Sequence, residues 1–297
     1  MMGGFEALAD GTKAVARLIE QYSVEMTAKD MTSLRQSAPG IAAGTPVAVA
    51  FLATDTQDER IAAARLVRTF GLEPMPHLSA RRIGSLSELS ATVSRAAAEA
   101  GARRMFLVAG DPPVPMGPFD DTMSLLRTGL FEQNGIHTIG IAGHPEGHPI
   151  MDQATIWQVL KLKEAEIAAR GMSTLIVTQF GFAAAPFLAW LAELRSRGID
   201  APVRIGIPGP AGIKVLLRFA AHCGVGASAS VMAKYGLSIG KLLGTAGPDR
   251  LVRDLAEGLT AAHGDVRLHF YPFGGLEKTV SWIQAHSATP AVAHAAR

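Results

Sequence analysis

Six polar residues stand at or just after short apolar runs, and their types suit acid–base and ring-binding chemistry: Glu25, His77, Asp111, His144, His148 and Gln179. Glu25 lies in Tyr22-Ser23-Val24-Glu25-Met26, among apolar neighbours. A carboxyl group partly removed from water favours its protonated form, which suits a general acid; a plain ion pair at a rim fits as well. Asp111 follows Gly110 and precedes Pro112-Pro113, a stiff turn in which it hydrogen-bonds a heterocycle or merely starts the turn. His144-Pro145-Glu146-Gly147-His148-Pro149 puts two imidazoles and a carboxylate in one loop. A metal pair needs both histidines on one helix face, and Pro145 and Gly147 prevent that helix, so no metal is expected. Hydrogen bonds to a ligand are the preferred reading. His77 reads equally as a satisfied core histidine. Gln179 precedes Phe180-Gly181-Phe182; its amide both donates and accepts, while the rings either wall a pocket or pack the core. Lys161 and Lys163 are surface lysines, or one reaches a phosphate.

These residues need a scaffold that gathers strand ends. Short apolar runs predict strands at 22–26, 47–51, 75–78, 104–108, 137–142, 174–178, 203–207 and 266–271. Amphipathic stretches predict helices at 58–70, 121–133, 152–170 and 276–284. A further helix opens on a Ser85-x-x-Glu88 capping box, two more end near Arg197 and His222, and 227–243 and 248–263 read as helical pieces. Eight strands, each followed by helix, predict an α/β fold, a (β/α)8 TIM barrel in a single domain; a doubly wound open sheet is the alternative. The barrel is assigned to 20–286, an N-terminal extension or helix to 1–19, and a frayed Ala-rich tail to 287–297. In such a barrel reactive groups collect at the C-terminal strand ends, so the six polar groups are expected at one mouth.

Composition narrows the function classes. The 297 residues are 48% hydrophobic and 18% charged, with mean hydropathy +0.21, which excludes a mostly disordered chain. A net charge of +2 shows no polyelectrolyte character, so neither nucleic acid nor a membrane surface is expected as partner. The one cysteine, Cys223, forms no intrachain disulfide. No apolar run reaches membrane-span length, and the N-terminus lacks the pattern of a secretory signal; a cytoplasmic enzyme is the expectation. The fingerprints of Rossmann dinucleotide sites, P-loops and hydrolase elbows are missing.

The order of motifs goes further. Ser23-Val24-Glu25-Met26, Pro76-His77-Leu78, Ala109-Gly110-Asp111-Pro112-Pro113, Gly143-His144-Pro145-Glu146-Gly147-His148-Pro149, Val177-Thr178-Gln179-Phe180 and Leu268-His269-Phe270-Tyr271 follow one another. In this the chain resembles the methylenetetrahydrofolate reductase family, over about residues 20–285, and looks like its short bacterial type with the catalytic barrel only. The resemblance implies a flavoprotein oxidoreductase of one-carbon metabolism and methionine biosynthesis. NAD(P)H would reduce FAD, which passes hydride to 5,10-methylenetetrahydrofolate, giving 5-methyltetrahydrofolate. Glu25 matches the family's general acid, Asp111 the acid near flavin and folate, and Gln179 the residue orienting folate and donor. His77, Ala109, Gly110, Asp111, His144, His148 and Lys163 match flavin-contact positions, and Ile213 a folate-packing position. Family members are commonly oligomers, so a homo-oligomer is expected. The sequence departs from the family pattern at Ala50, Ala109, His144 and Gly275. A flavin-independent reductase and a non-catalytic folate-binding barrel are the alternatives.

Overall fold

A computed structural model describes residues 13–222 and 245–287. Eight parallel strands close into a barrel: β1 Ser23–Met26, β2 Pro46–Val49, β3 Glu73–Ser79, β4 Arg104–Val108, β5 Thr138–Gly143, β6 Ser173–Phe180, β7 Val203–Pro208 and β10 Val266–Tyr271. They follow one another round the barrel, with β10 between β7 and β1. A short antiparallel pair, β8 Ala211–Gly212 and β9 Thr245–Ala246, lies outside it. Two-residue strands carry no periodicity, so the sequence does not announce them.

Helices cover the strands: α1 over 13–19, α2 Met31–Ser37, α3 Gln57–Thr69, α4 Leu86–Glu99, α5 Thr122–Leu126, α6 Leu130–Gln133, α7 Gln153–Ala169, α8 Ala184–Ser196 and α9 Ile213–His222. The helices Asp249–Gly258 and Leu276–His286 follow. Local chemistry fixes their starts. Thr56 and Glu59 form a full capping box at α3, and the Asp152 carboxylate accepts the Thr155 N–H at α7. At α4 the Ser85 hydroxyl accepts the Glu88 N–H, but the Glu88 carboxylate takes the Gly84 N–H at 2.8 Å, so the expected box is half formed. The single helix expected at 121–133 is two, because Gly129 adopts φ 75° between α5 and α6. The segments 227–243 and 288–297 lie outside the described residues.

The strand alternation sorts side chains into two cores. Val24, Val47, Leu107, Ile141, Ile205 and Phe270 face the helices in the main core. Ala48, Met75, Phe106, Leu175 and Val177 form a separate cluster inside the barrel. One irregularity matters for the site: Val177 pairs with Arg204 but Phe180 with Gly206, so three steps along β6 face two along β7. This bulge is pinned on both sides. The Thr178 hydroxyl accepts the Gly206 N–H at 2.8 Å, and the Thr178 carbonyl accepts the Tyr271 hydroxyl at 3.1 Å.

Candidate active site

Glu25 is the third residue of β1, and its register partner is Ala48 of the interior cluster, which puts it on the inward face. Two imidazoles converge on it. His77 Nε2, from β3, lies 3.9 Å from Glu25 Oε2, and His269 Nε2, from β10, lies 3.8 Å from the same oxygen. His269 is 1% exposed and its Nδ1 sits 2.8 Å from the Ser23 hydroxyl. Its ring also meets the edge of Tyr271, 4.8 Å between centroids. His77 packs against Phe106 at 4.6 Å. Burial depresses the His77 pKa to about 4, with Glu25 opposing and His269 adding to the fall. His77 is therefore neutral near pH 7 and bears on Glu25 as a dipole rather than a cation.

The structure thus joins Glu25 with His77, as expected, and adds Ser23 and His269. Both added residues stand in quoted motifs, yet neither was singled out. The signal was the alternation of β10, which puts Arg267, His269 and Tyr271 on one face.

Asp111 behaves differently. Both its oxygens accept from Arg82, Oδ1 from Nε at 2.8 Å and Oδ2 from Nη2 at 2.7 Å. Its side chain is 76% exposed, and the Arg82 hydrogen bonds hold its pKa below the ordinary carboxylate value. The clasp ties the loop after β4 to the turn after β3. Arg81 reinforces it: its N–H reaches the exposed Ala109's carbonyl at 2.9 Å, and its guanidinium reaches those of Asp120 and Pro112. Arg81 and Arg82 are thus half-buried and engaged by the loop rather than turned out to solvent. Gly110, the residue before Asp111, has φ 98° and packs so closely on Ser79 that a Cβ would strike its hydroxyl.

After β5, His144 and His148 meet edge to face at 5.0 Å. Burial depresses the His144 pKa to about 4, helped by His148 and Lys163. Lys163, from α7, lines a small cavity with Gly143, His144, Met151 and Leu160. Burial lowers its pKa, partly offset by Asp121. Gln179 is half-buried within β6 beside the bulge, one residue inside the strand rather than after it. Phe180 and Phe182 are both 3% exposed and 5.9 Å apart edge to face, so they pack the core. Ile213 opens α9 and is buried in the main core.

Residues 17–271 match the family model described as methylenetetrahydrofolate reductase. The chain belongs to the methylenetetrahydrofolate reductase family. That match runs from before β1 to the last residue of β10, so it contains Ser23, Glu25, His77 and His269 together. The chain is 29% identical over 228 residues to methylenetetrahydrofolate reductase 1 of Schizosaccharomyces pombe, covering 72% of this chain and 35% of the relative. It is 27% identical over 144 residues to methylenetetrahydrofolate reductase 2 of Saccharomyces cerevisiae, covering 46% and 23%. The chain thus aligns with about a quarter to a third of these yeast methylenetetrahydrofolate reductases. The solved carboxyl transferase domain of Rhizobium etli pyruvate carboxylase superposes with a TM-score of 0.42 at 12% identity, covering 87% of this chain and 50% of that one. No helix among the described residues is long and apolar enough to cross a membrane.

Proposed function

We propose that this protein interconverts 5,10-methylenetetrahydrofolate and 5-methyltetrahydrofolate, with NAD(P)H as donor, FAD as carrier and Glu25 as general acid. The observation that carries this is the placement of Glu25, inside a family-matched barrel and between the buried imidazole of His269 and the largely buried one of His77. Glu25 gives its proton to the nitrogen that leaves the methylene bridge. The C–N bonding pair goes to that nitrogen, and the five-membered ring opens to an iminium. Two electrons and one hydrogen then reach the methylene carbon as hydride, giving the methyl group. The Ser23 hydroxyl, 2.8 Å from His269 Nδ1, holds the ring with Nε2 facing Glu25. With its proton on Nε2, that ring would steady the carboxylate left after protonation of the folate. Asp111 and Gln179 orient the pterin, and Ile213 packs beneath the folate.

The residues present fit a flavin nucleotide. Lys163 is an ammonium drawn into a cavity, where a phosphate oxygen would complete its solvation. His77, Ala109, Gly110, Asp111, His144 and His148 would complete the holding set. When bound, FAD supplies a two-electron carrier between nicotinamide and folate.

One observation favours a second reading, direct transfer from nicotinamide to folate. Arg82 is committed to Asp111 and Arg81 to carbonyls, which leaves Lys163 as the cation of this set. The deciding experiment is the absorbance spectrum of the purified protein, an FAD titration, and chromatographic assay of 5-methyltetrahydrofolate. A flavin band or FAD-dependent activity supports the flavin route. Full activity in flavin-free protein supports direct transfer. Absence of product with either donor, with or without FAD, overturns the proposal.

A further inference from the structure

The opposite end of the barrel gathers positive charge beyond its matching carboxylates. Arg204 and Arg267 are each second in their strands, β7 and β10, and are register partners. Arg204 also pairs with Val177 of the interior cluster, so both arginines face inward at the N-terminal floor. Arg204's side chain is 11% exposed and Arg267's 32%.

A guanidinium stays charged, so burying one demands a partner. Asp265 Oδ1 lies 3.9 Å from Arg204 and 3.7 Å from Arg267, beyond hydrogen-bond range for both. Asp265 is itself half exposed. It also serves Arg195 electrostatically, whose own N–H groups go to the carbonyls of His263, Ile199 and Ala201. Among the described residues, Arg204 and Arg267 each donate only to the carbonyl of the preceding residue, at 3.4 and 2.9 Å. Arg267 Nε is buried with no hydrogen-bond partner among the described residues. Burial weakens the proton affinity of Arg204, and the fields of Arg267 and Arg104 weaken it further.

We propose that this floor binds a small tetrahedral oxyanion of the phosphate class between Arg204 and Arg267. Neighbouring strands lie about 4.8 Å apart, so the two forks stand side by side and present N–H donors to one anion. The anion would satisfy Arg267 Nε and restore the charge balance that Asp265 supplies only in part. Arg104, at the start of β4, adds to the attracting field.

The test is calorimetric titration of the whole chain with inorganic phosphate, at an ionic strength fixed with chloride. Arg267→Gln is expected to weaken binding about tenfold or more, the loss of one charge-assisted hydrogen bond. Asp265→Asn removes the competing carboxylate and is expected to tighten it several-fold. Should Arg267→Gln not fold, Asp265→Asn decides alone, because the half-exposed Asp265 side chain makes no hydrogen bond among the described residues. Titration with adenosine 5′-monophosphate separates the sources. Variant-sensitive binding of both ligands identifies a phosphoryl group on a larger molecule, and of phosphate alone a free ion. No phosphate heat above chloride, or one Kd across wild type and the folded variants, overturns the proposal. Folate turnover plays no part in this readout, so its outcome is independent of the reductase reading.

Discussion

His269 Nε2 stands 3.8 Å from Glu25 Oε2, within reach of its charge but outside hydrogen-bond range. The two differ in access: the Glu25 side chain is 21% exposed and that of His269 1%. The carboxyl is therefore the member of the pair that substrate can touch, and the imidazole acts from behind it.

Glu25→Gln keeps the shape and removes the transferable proton. Folate reduction is expected to fall by about 10²–10⁴, the usual worth of a general acid. Donor oxidation with an artificial acceptor and folate binding should stay within a few-fold. Steady-state rates for each half of the reaction check this, and equal falls in both would remove Glu25 from the acid role.

Ser23→Ala strips His269 Nδ1 of its 2.8 Å partner in a site that water does not reach. Leaving that nitrogen unpaired should cost about 1–3 kcal/mol of stability. Because Ser23 also fixes which ring nitrogen faces Glu25, the pH profile of kcat should move as well. Ser23→Thr, which keeps a hydroxyl, should restore the profile. A stability loss with an unmoved profile would mean packing alone.

His77 and His144 are both held near a pKa of 4, against the ordinary 6.5, chiefly by burial. Each is neutral in the fold and takes a proton more readily once unfolded. Their contribution to stability is complete above about pH 6.5 and is lost as the pH falls toward 4. Within that window each contributes a slope of about 1.4 kcal/mol per pH unit. Urea unfolding across the window should show the loss, and His144→Asn should remove about one histidine's share. An unchanged slope in the variant would rule His144 out as its source.

Arg82→Ala should cost at most about 1 kcal/mol, since the Asp111 partner is largely exposed. Its larger effect should be on ligands: with Asp111 released, the KM for folate should drop several-fold if that carboxylate binds the pterin. Gly110→Ala is the contrasting change. It sets a side chain at φ 98° and against Ser79, and should lower stability by about 1–3 kcal/mol. Thermal unfolding and folate kinetics of the two variants separate loop shape from Asp111 charge.

The barrel was legible because parallel strands covered on both faces read as apolar runs separated by helix signals. Arg104–Val108 and Val266–Tyr271 were read to the residue. Strand ends were less clear where the ladder runs on into polar residues, as in β3, which extends from Glu73 to Ser79 around the shorter predicted run. Glu25 and His77 were found because strand position alone brings them to one mouth. The Asp111 clasp was not, since Arg82 and Asp111 are 29 residues apart and their pairing depends on how two loops fold over each other. Ser23 and His269 meet across 246 residues, a contact created by barrel closure itself.

Phe106, Met75, Leu175 and Val177 fill the middle of the barrel between the Glu25 end and the arginine floor. Their packing leaves little water to screen charge across the cylinder. Arg267 and His269 are alternate residues on one face of β10, so the guanidinium end begins two residues from the imidazole end. A change of charge at one end, or an anion arriving there, is therefore felt as a field at the other, and the two ends are tuned together.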